Sequence, residues 1–393
     1  MKLLMYSHDT FGLGHIRRTL LIADSLSEAF PDLYTLILTG SSMIHSLRIP
    51  PKTDYIKLPC LTKLSNGSYL PKYLKQYSNS IKTLRREIIF KTLNEYRPDF
   101  VLVDKAPVGV TGELLESLIY LKQKQPETRL ILGIRDILDD PQQVKKEWAK
   151  HSVYEALDLL YDEIWVYGSK EINDVVEEYG LSRSVMKKVH FCGYLERKMP
   201  ASDPEEIKRK LGVDDGQMVL VTLGGGGDGH DLIGTFIEAV SRLPVKENVH
   251  SLIITGPDFS DSKLLSLIHR QNGASGPILK DYTTSILDYM NAADLVVSMA
   301  GYNTVCEILS LGKKAIVVPR VQPRKEQLIR ATKFSRMGLL KMIHPSDLSP
   351  DTLSEEMTTA LSDNPVVTKA QGAFELGGLM KVRQRFTELR RMV

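Results

Sequence analysis

The run Gly12-Leu13-Gly14-His15-Ile16-Arg17-Arg18 follows an apolar opening segment and leads into a helix-like pattern from Ile16 to Ala29. If that order is strand, turn and helix, the turn lies where backbone N–H groups and the helix dipole favour an anion. A histidine at such an edge titrates near neutrality and is suited to general-base work. The run lacks the third spaced glycine of a dinucleotide fingerprint, so it does not by itself point to NAD or FAD. A tight turn with a helix-terminal histidine is the competing structural reading. Asp104 follows the apolar run Phe100–Val103, and Arg135-Asp136 follows Leu130–Ile134. At the C-terminal ends of strands, either Asp104 or Asp136 is placed to orient His15 or to bind an acceptor hydroxyl. A helix cap or loop ion pair competes for each. His8, Asp9 and His15 have no established zinc spacing and no Asp-x-Asp accompanies them, so no metal is expected.

Two further loops carry donor-binding chemistry. Gly224, Gly225, Gly226 and Gly227, followed by Asp228-Gly229-His230, allow a backbone to approach a ligand without Cβ interference. They lack the Gly-Lys-Ser/Thr ending of a nucleoside-triphosphatase loop, which disfavours that class and suits contact with a diphosphate or a sugar, with a merely flexible loop as the competing reading. In Ser298–Glu307 a small-residue turn opens a helix, with Gly301, Tyr302, Asn303 and Thr304 at its start. Helix-end N–H donors there suit phosphate. Glu307, about one turn further on, is placed to accept hydrogen bonds from ribose hydroxyls.

Holding these loops requires parallel strands. Apolar runs at Lys2–Tyr6, Leu33–Thr39, Phe100–Val103, Leu130–Ile134 and Glu163–Val166 alternate with helical patterns. A second series repeats the order at Val219–Thr222, Leu252–Thr255, Leu295–Ser298, Ala315–Val318 and Leu339–Ile343. Such alternation predicts α/β domains with parallel sheets. Apolar content falls at Lys198–Pro204, so an N-terminal domain is expected over 1–197 and a second over 198–372. A basic C-terminal helix over 373–393 is expected to pack back on the first domain. The 393 residues, 42% hydrophobic and 25% charged, fit two such domains, and the space between them is the expected ligand site.

The apolar run before Ser7 is too short for a signal peptide or a membrane span, and Cys60, Cys192 and Cys306 are far apart. Both features imply a cytoplasmic protein with buried, reduced thiols. The net charge is only +3, but Lys52–Arg97 holds ten Lys and Arg against Asp54, Glu87 and Glu95, with five interleaved tyrosines. Such a stretch suits an anionic acceptor or the inner face of a membrane, held peripherally. A solvated helix face is the competing reading, and nucleic acid is not the expected partner.

Asp294–Ser298, Ala300–Thr304, Glu307, Gly312, Pro319-Arg320, Glu326-Gln327 and Arg330-Ala331 together resemble the donor-binding domain of GT-B glycosyltransferases. They are most similar to the lipid-linked N-acetylglucosaminyltransferases of peptidoglycan synthesis. The resemblance spans Val219–Ile343, and in the first half it rests on Gly12–His15 and the βα order. It implies a GT-B fold of two Rossmann-like domains facing each other across a cleft, a UDP-sugar donor and no cofactor. On this resemblance the turn Ala300–Thr304 holds the diphosphate and Glu307 the ribose, while Glu326 and Gln327 meet donor-sugar hydroxyls. Arg320 or Arg324 adds charge near the diphosphate, and the Gly224–Gly227 loop closes over the donor. Gly14 and His15 stand at the donor phosphate, or His15 acts as the base. Retaining GT-B enzymes carry a second glutamate upstream of the first, but the matching position here is Met299. Inversion is therefore expected. The Gly-x-Gly-His-x-x-Arg run is also similar to nucleotide-sugar hydrolases of nonulosonic acid synthesis, in which the histidine serves water. A non-catalytic nucleotide-sugar-binding protein is the third possibility.

Overall fold

Strands whose residues are buried on both faces set the architecture. Phe100–Asp104 and Glu163–Tyr167 are buried at every position, as expected where helices cover both faces of a parallel sheet. The computed structural model describes residues 1–8, 12–64, 68–213, 215–225, 227–244, 248–257, 259, 276–362 and 376–391. The chain divides into two units, Met1–Leu195 with Glu375–Val393, and Glu196–Phe374.

In the first unit, β1 (Lys2–Ser7), β2 (Tyr34–Thr39), β3 (Thr53–Lys57), β6 (Phe100–Asp104), β7 (Arg129–Arg135), β8 (Glu163–Tyr167) and β9 (Val189–Phe191) form one parallel sheet. Its order is β3-β2-β1-β6-β7-β8-β9, and a separate hairpin joins β4 (Leu61–Lys63) to β5 (Tyr69–Pro71). In the second unit the strands are β10 (Gln217–Thr222), β11 (Val249–Ile254), β12 (Ile278–Lys280), β13 (Leu295–Ser298), β14 (Ala315–Val317) and β15 (Lys341–Met342). They run in the order β12-β11-β10-β13-β14-β15, again all parallel. Both orders reverse direction beside the first strand, between β1 and β6 and between β10 and β13. Loops leaving the C-terminal ends of such strands diverge and open a crevice for ligands.

Each unit has its own apolar core. The first gathers Leu4, Val101, Leu132 and Ile164 with the helices around them, and the second gathers Val221, Phe236, Val297 and Leu353. The helix Gly378–Arg390 belongs to the first unit. Phe386 packs on Phe30 and Phe100 at ring distances of 5.0 and 4.6 Å, and Arg383 and Arg390 bond to Ser25, Glu28 and Asp32. Tyr194 pairs with Leu376 and accepts from the Gly378 N–H. Among the described residues no helix is long and apolar enough to cross a membrane. Cys192 and Cys306 are buried and Cys60 half-buried, and none of the three is in a disulfide.

The structure adds strands where no apolar run announced them: β3, β9 and β12 are short edge strands, and β4 and β5 form the hairpin. An edge strand satisfies its ladder on one side only and tolerates polar residues, which removes the apolar signature. The basic segment Lys52–Arg97 is thereby spread over β3, the hairpin and the helix Ser78–Tyr96.

Candidate functional site

Two loop clusters, one in each unit, bring the chemistry-bearing residues together. In the first unit, β1 and β6 deliver residues to the point where the strand order reverses. The helix Gly14–Ala29 begins with no side-chain cap, so its first turn faces outward with exposed Gly14 and part-buried His15. His15 Nδ1 lies 2.5 Å from Asp104 Oδ2. Arg18, fully buried and on the same helical face as His15, donates to Asp104 Oδ1 from Nε at 2.9 Å and from Nη2 at 2.5 Å. A carboxylate held this way requires Nδ1–H on the imidazole, which leaves Nε2 with a lone pair. His8, at the end of β1, packs edge-on against the His15 ring at 5.1 Å.

Burial lowers the His15 pKa to about 3. Asp104 opposes the shift, while Lys105 and Arg18 add to it. Burial alone would raise Asp104, but Arg18 and His15 hold it below the usual carboxylate range. The outcome is a neutral imidazole against an ionised carboxylate, the charge state of a general base awaiting a proton. Directly after Asp104, Lys105 adopts φ of 65° and the Ala106 N–H returns to the Asp104 carbonyl at 2.8 Å. This three-residue turn puts a strained, non-glycine backbone beside the carboxylate, as functional sites often do.

Asp136 is not part of this cluster. It is buried and bonds to the Ile137 N–H at 2.7 Å and to the Tyr194 hydroxyl at 3.1 Å, whereas the described partners of His15 are Asp104, Arg18 and His8. Asp136 thus does not orient His15, and its carboxylate sits at the end of β7 beside Tyr194. Arg85, counted within the basic segment, is also displaced from its expected setting. It is buried, donating to Glu113 from Nε at 2.8 Å and from Nη2 at 2.5 Å, with Tyr6 donating to the same carboxylate at 2.6 Å. That leaves an exposed patch of Lys72, Tyr73, Leu74, Lys75 and Tyr77, with Leu84 and Arg86 on the following helix.

In the second unit, the loops after β10 and β13 meet where that sheet reverses. Gly301 precedes the helix Tyr302–Ser310 with ordinary extended geometry, and a Cβ there would meet nothing nearer than Thr304 Oγ1 at 3.8 Å. The absent side chain leaves the helix end open, where the first N–H groups have no acceptor within the helix. Tyr302, Asn303 and Thr304 are buried against that end. On the facing loop Gly224 has φ of 73°, which favours glycine, and a Cβ on it would reach the same Thr304 hydroxyl at 3.9 Å. Gly225 is half-buried beside it, and Gly226 lies outside the described residues.

Glu307 is 1% exposed, with Arg197 Nε at 3.7 Å from its carboxylate. Arg330, fully buried, donates to the Ala300 carbonyl at 3.1 Å and lies over the Tyr302 ring, fixing the turn from beneath. Glu326 and Gln327 begin the helix Glu326–Arg336 and are buried. Arg320 joins them: Nη2 donates to Glu326 Oε1 at 2.5 Å and the Arg320 N–H to Gln327 Oε1 at 3.0 Å. Its Nη1 donates to Asp228 Oδ2 at 3.0 Å. Two carboxylates on one guanidinium make Arg320 a brace between the glycine loop and the start of the helix Glu326–Arg336. Arg324 is half-buried on the same loop.

Arg18, Arg197, Asp228 and Arg330 were assigned no role from the sequence; Arg18 was legible by its place one turn after His15 on the same helical face, and Arg330 only as part of the family resemblance. Among the described residues no three His, Cys, Asp or Glu side chains are grouped as metal ligands, and Asp9 lies outside them.

Residues 218–379 match the Glycosyltransferase family 28 C-terminal domain. Two curated relatives are UDP-N-acetylglucosamine--N-acetylmuramyl-(pentapeptide) pyrophosphoryl-undecaprenol N-acetylglucosamine transferases. That of Thermodesulfovibrio yellowstonii is 21% identical over 92% of this chain and 90% of its own. That of Acetivibrio thermocellus is 24% identical over 93% and 91%. Among solved structures, Acinetobacter baumannii MurG aligns with a TM-score of 0.59 at 13% identity, covering 98% of this chain and 99% of that one. Anabaena Alr3699/HepE in complex with UDP-glucose aligns at 0.61 and 14%, covering all of both chains. A Listeria monocytogenes structure with a provisional UDP-N-acetylglucosamine 2-epimerase assignment aligns at 0.65 and 13%, covering 99% and 97%. The fold is GT-B, and residues 218–379 of the chain are similar to the glycosyltransferase family 28 C-terminal domain.

Proposed function

We propose, from the premise of a GT-B donor domain, that this chain is an inverting glycosyltransferase moving a sugar from a UDP-sugar to a hydroxyl of a lipid-carried acceptor, without a metal. The observation that carries the reaction class is His15 Nδ1 held 2.5 Å from the Asp104 carboxylate, where burial favours the neutral imidazole. In one displacement the acceptor oxygen bonds to the anomeric carbon as the bond to the β-phosphate oxygen breaks. The hydroxyl proton passes to His15 Nε2, and Asp104 steadies the imidazolium that forms. The leaving diphosphate is met by the N–H groups at the start of Tyr302–Ser310, with Arg324 adding charge. Glu307 takes the ribose hydroxyls, and Glu326 and Gln327 the sugar.

The acceptor reading draws on the relatives' names, which specify a pyrophosphoryl-undecaprenol acceptor. Support from this chain is the exposed group Lys72, Tyr73, Leu74, Lys75 and Tyr77, with Tyr73 71% exposed. Aromatic and aliphatic side chains flanked by lysines suit the anionic face of a membrane at the cytoplasmic side.

The test is incubation of UDP-N-acetylglucosamine and UDP-glucose with and without polyprenyl-diphosphate-linked sugar acceptors, with the product anomer read by NMR coupling. Acceptor-dependent transfer with inversion supports the proposal, and retention removes the mechanism. Rapid stoichiometric sugar release from donor alone makes the protein a hydrolase. Binding without turnover across the acceptors makes it a nucleotide-sugar-binding protein.

A further inference from the structure

The glycine loop and the donor-sugar residues come from different parts of the second unit, yet one arginine joins them. Arg320 follows β14 and engages Glu326 and Gln327 at the start of the next helix. Its remaining amino group is held by Asp228, which ends the glycine run after β10. Asp228 is the loop's charged side chain. Backbone rich in glycine, here Gly224, Gly225 and Gly227 among the described residues, is costly to order because each has wide freedom to lose. A charge-assisted hydrogen bond from the end of the run to a fixed guanidinium removes part of that freedom before any ligand arrives.

We infer that Asp228 is a positioning residue for the donor sugar, latching the glycine loop through Arg320 to the residues that read the sugar. The inference rests on the reading of Glu326 and Gln327 as sugar contacts. It separates two parts of the donor. The diphosphate and ribose are met by the turn Ala300–Thr304 and by Glu307, none of which has Asp228 among its described hydrogen-bond partners. On that reading the sugar would sit between the latched loop and Glu326 with Gln327, so a sugar-bearing ligand depends on the latch and bare UDP does not. The latch therefore sets the ratio of UDP-sugar affinity to UDP affinity.

The experiment is isothermal calorimetry of the full chain with UDP, UDP-glucose and UDP-N-acetylglucosamine, comparing the native protein with Asp228→Ala and Asp228→Glu. Asp228 is part-exposed, and its removal leaves the Arg320–Glu326 pair in place. The ligand-free melting temperature of Asp228→Ala should therefore be unchanged. The expected result is UDP affinity within about twofold and UDP-sugar affinity weakened about tenfold in Asp228→Ala, partly restored in Asp228→Glu. An unchanged ratio of the two affinities overturns the latch, whether both fall together or neither moves. If the native protein binds none of the three nucleotides, the donor-site reading itself falls and the latch with it.

Discussion

Burial and Asp104 pull the His15 imidazole in opposite directions, and burial prevails, bringing its pKa down to about 3. The competent base is the neutral form, so lowering the pKa extends activity toward acid. The kcat/KM profile for transfer should stay flat from pH 8 to below pH 6, where an unperturbed histidine would already have lost half its rate. His15→Ala should lower kcat by about two to four orders of magnitude and leave UDP affinity within a few fold. The same shift bears on stability. A histidine whose folded pKa lies below its unfolded value binds more protons when unfolded, so stability falls as pH drops from about 6.5 toward 3. The depressed Asp104 acts in the same sense at lower pH. Melting temperature should therefore decline between pH 6.5 and 4 in the native protein and decline less in His15→Ala. An equal slope in both would separate His15 from the acid sensitivity.

The helix Ser78–Tyr96 shows how one element divides a charged segment between core and surface. Ile81, Arg85, Ile89 and Leu93 are its buried residues, four apart, so Arg85 occupies the core-facing stripe. There it meets Glu113 and joins this helix to β1 through Tyr6. Glu113→Gln would strand a buried guanidinium, and urea denaturation should show a loss of about 3–5 kcal/mol. The exposed residues just before the helix have a different fate. Replacing Leu74 and Tyr77 by Ser and Lys72 and Lys75 by Gln should leave urea stability within about 0.5 kcal/mol, as for surface changes generally. The same variant should lose cosedimentation with anionic phosphatidylglycerol vesicles. Unchanged vesicle binding would return this patch to an ordinary solvated surface.

At the scale of the whole chain, two units with separate cores need not melt together. The residues proposed to hold the donor, Gly301–Thr304, Glu307, Glu326 and Gln327, all lie in Glu196–Phe374. Scanning calorimetry should thus show UDP raising the transition of that unit and leaving the other nearly in place. At a concentration of 100 Kd the gain is about 2.7 kcal/mol. Glu307→Gln should shrink the shift at fixed UDP by weakening the ribose contact. A shift confined to the other transition would move the nucleotide site to the first unit. The helix Gly378–Arg390 gives the first unit a core contribution from the far end of the chain, through Phe386 on Phe30 and Phe100.

The GT-B assignment came from the family resemblance of Asp294–Ala331. Sequence alone determined the α/β class, because doubly covered parallel strands must be apolar throughout and their loops must carry the glycines and polar residues. β1, β6, β10 and β13 were legible for that reason, as were the loops that follow them. Edge strands such as β3 and β12 were not, since pairing on one side demands no apolar run. Candidate residues were legible by type and by their place after a strand, but pairings were not. His15 with Asp104 rather than Asp136, Arg85 with Glu113, and Arg320 with Asp228 join positions separated by long stretches of chain. Nothing in local spacing selects among several carboxylates at the ends of neighbouring strands. Strand order does so, by bringing β6 beside β1 and leaving β7 one strand further away.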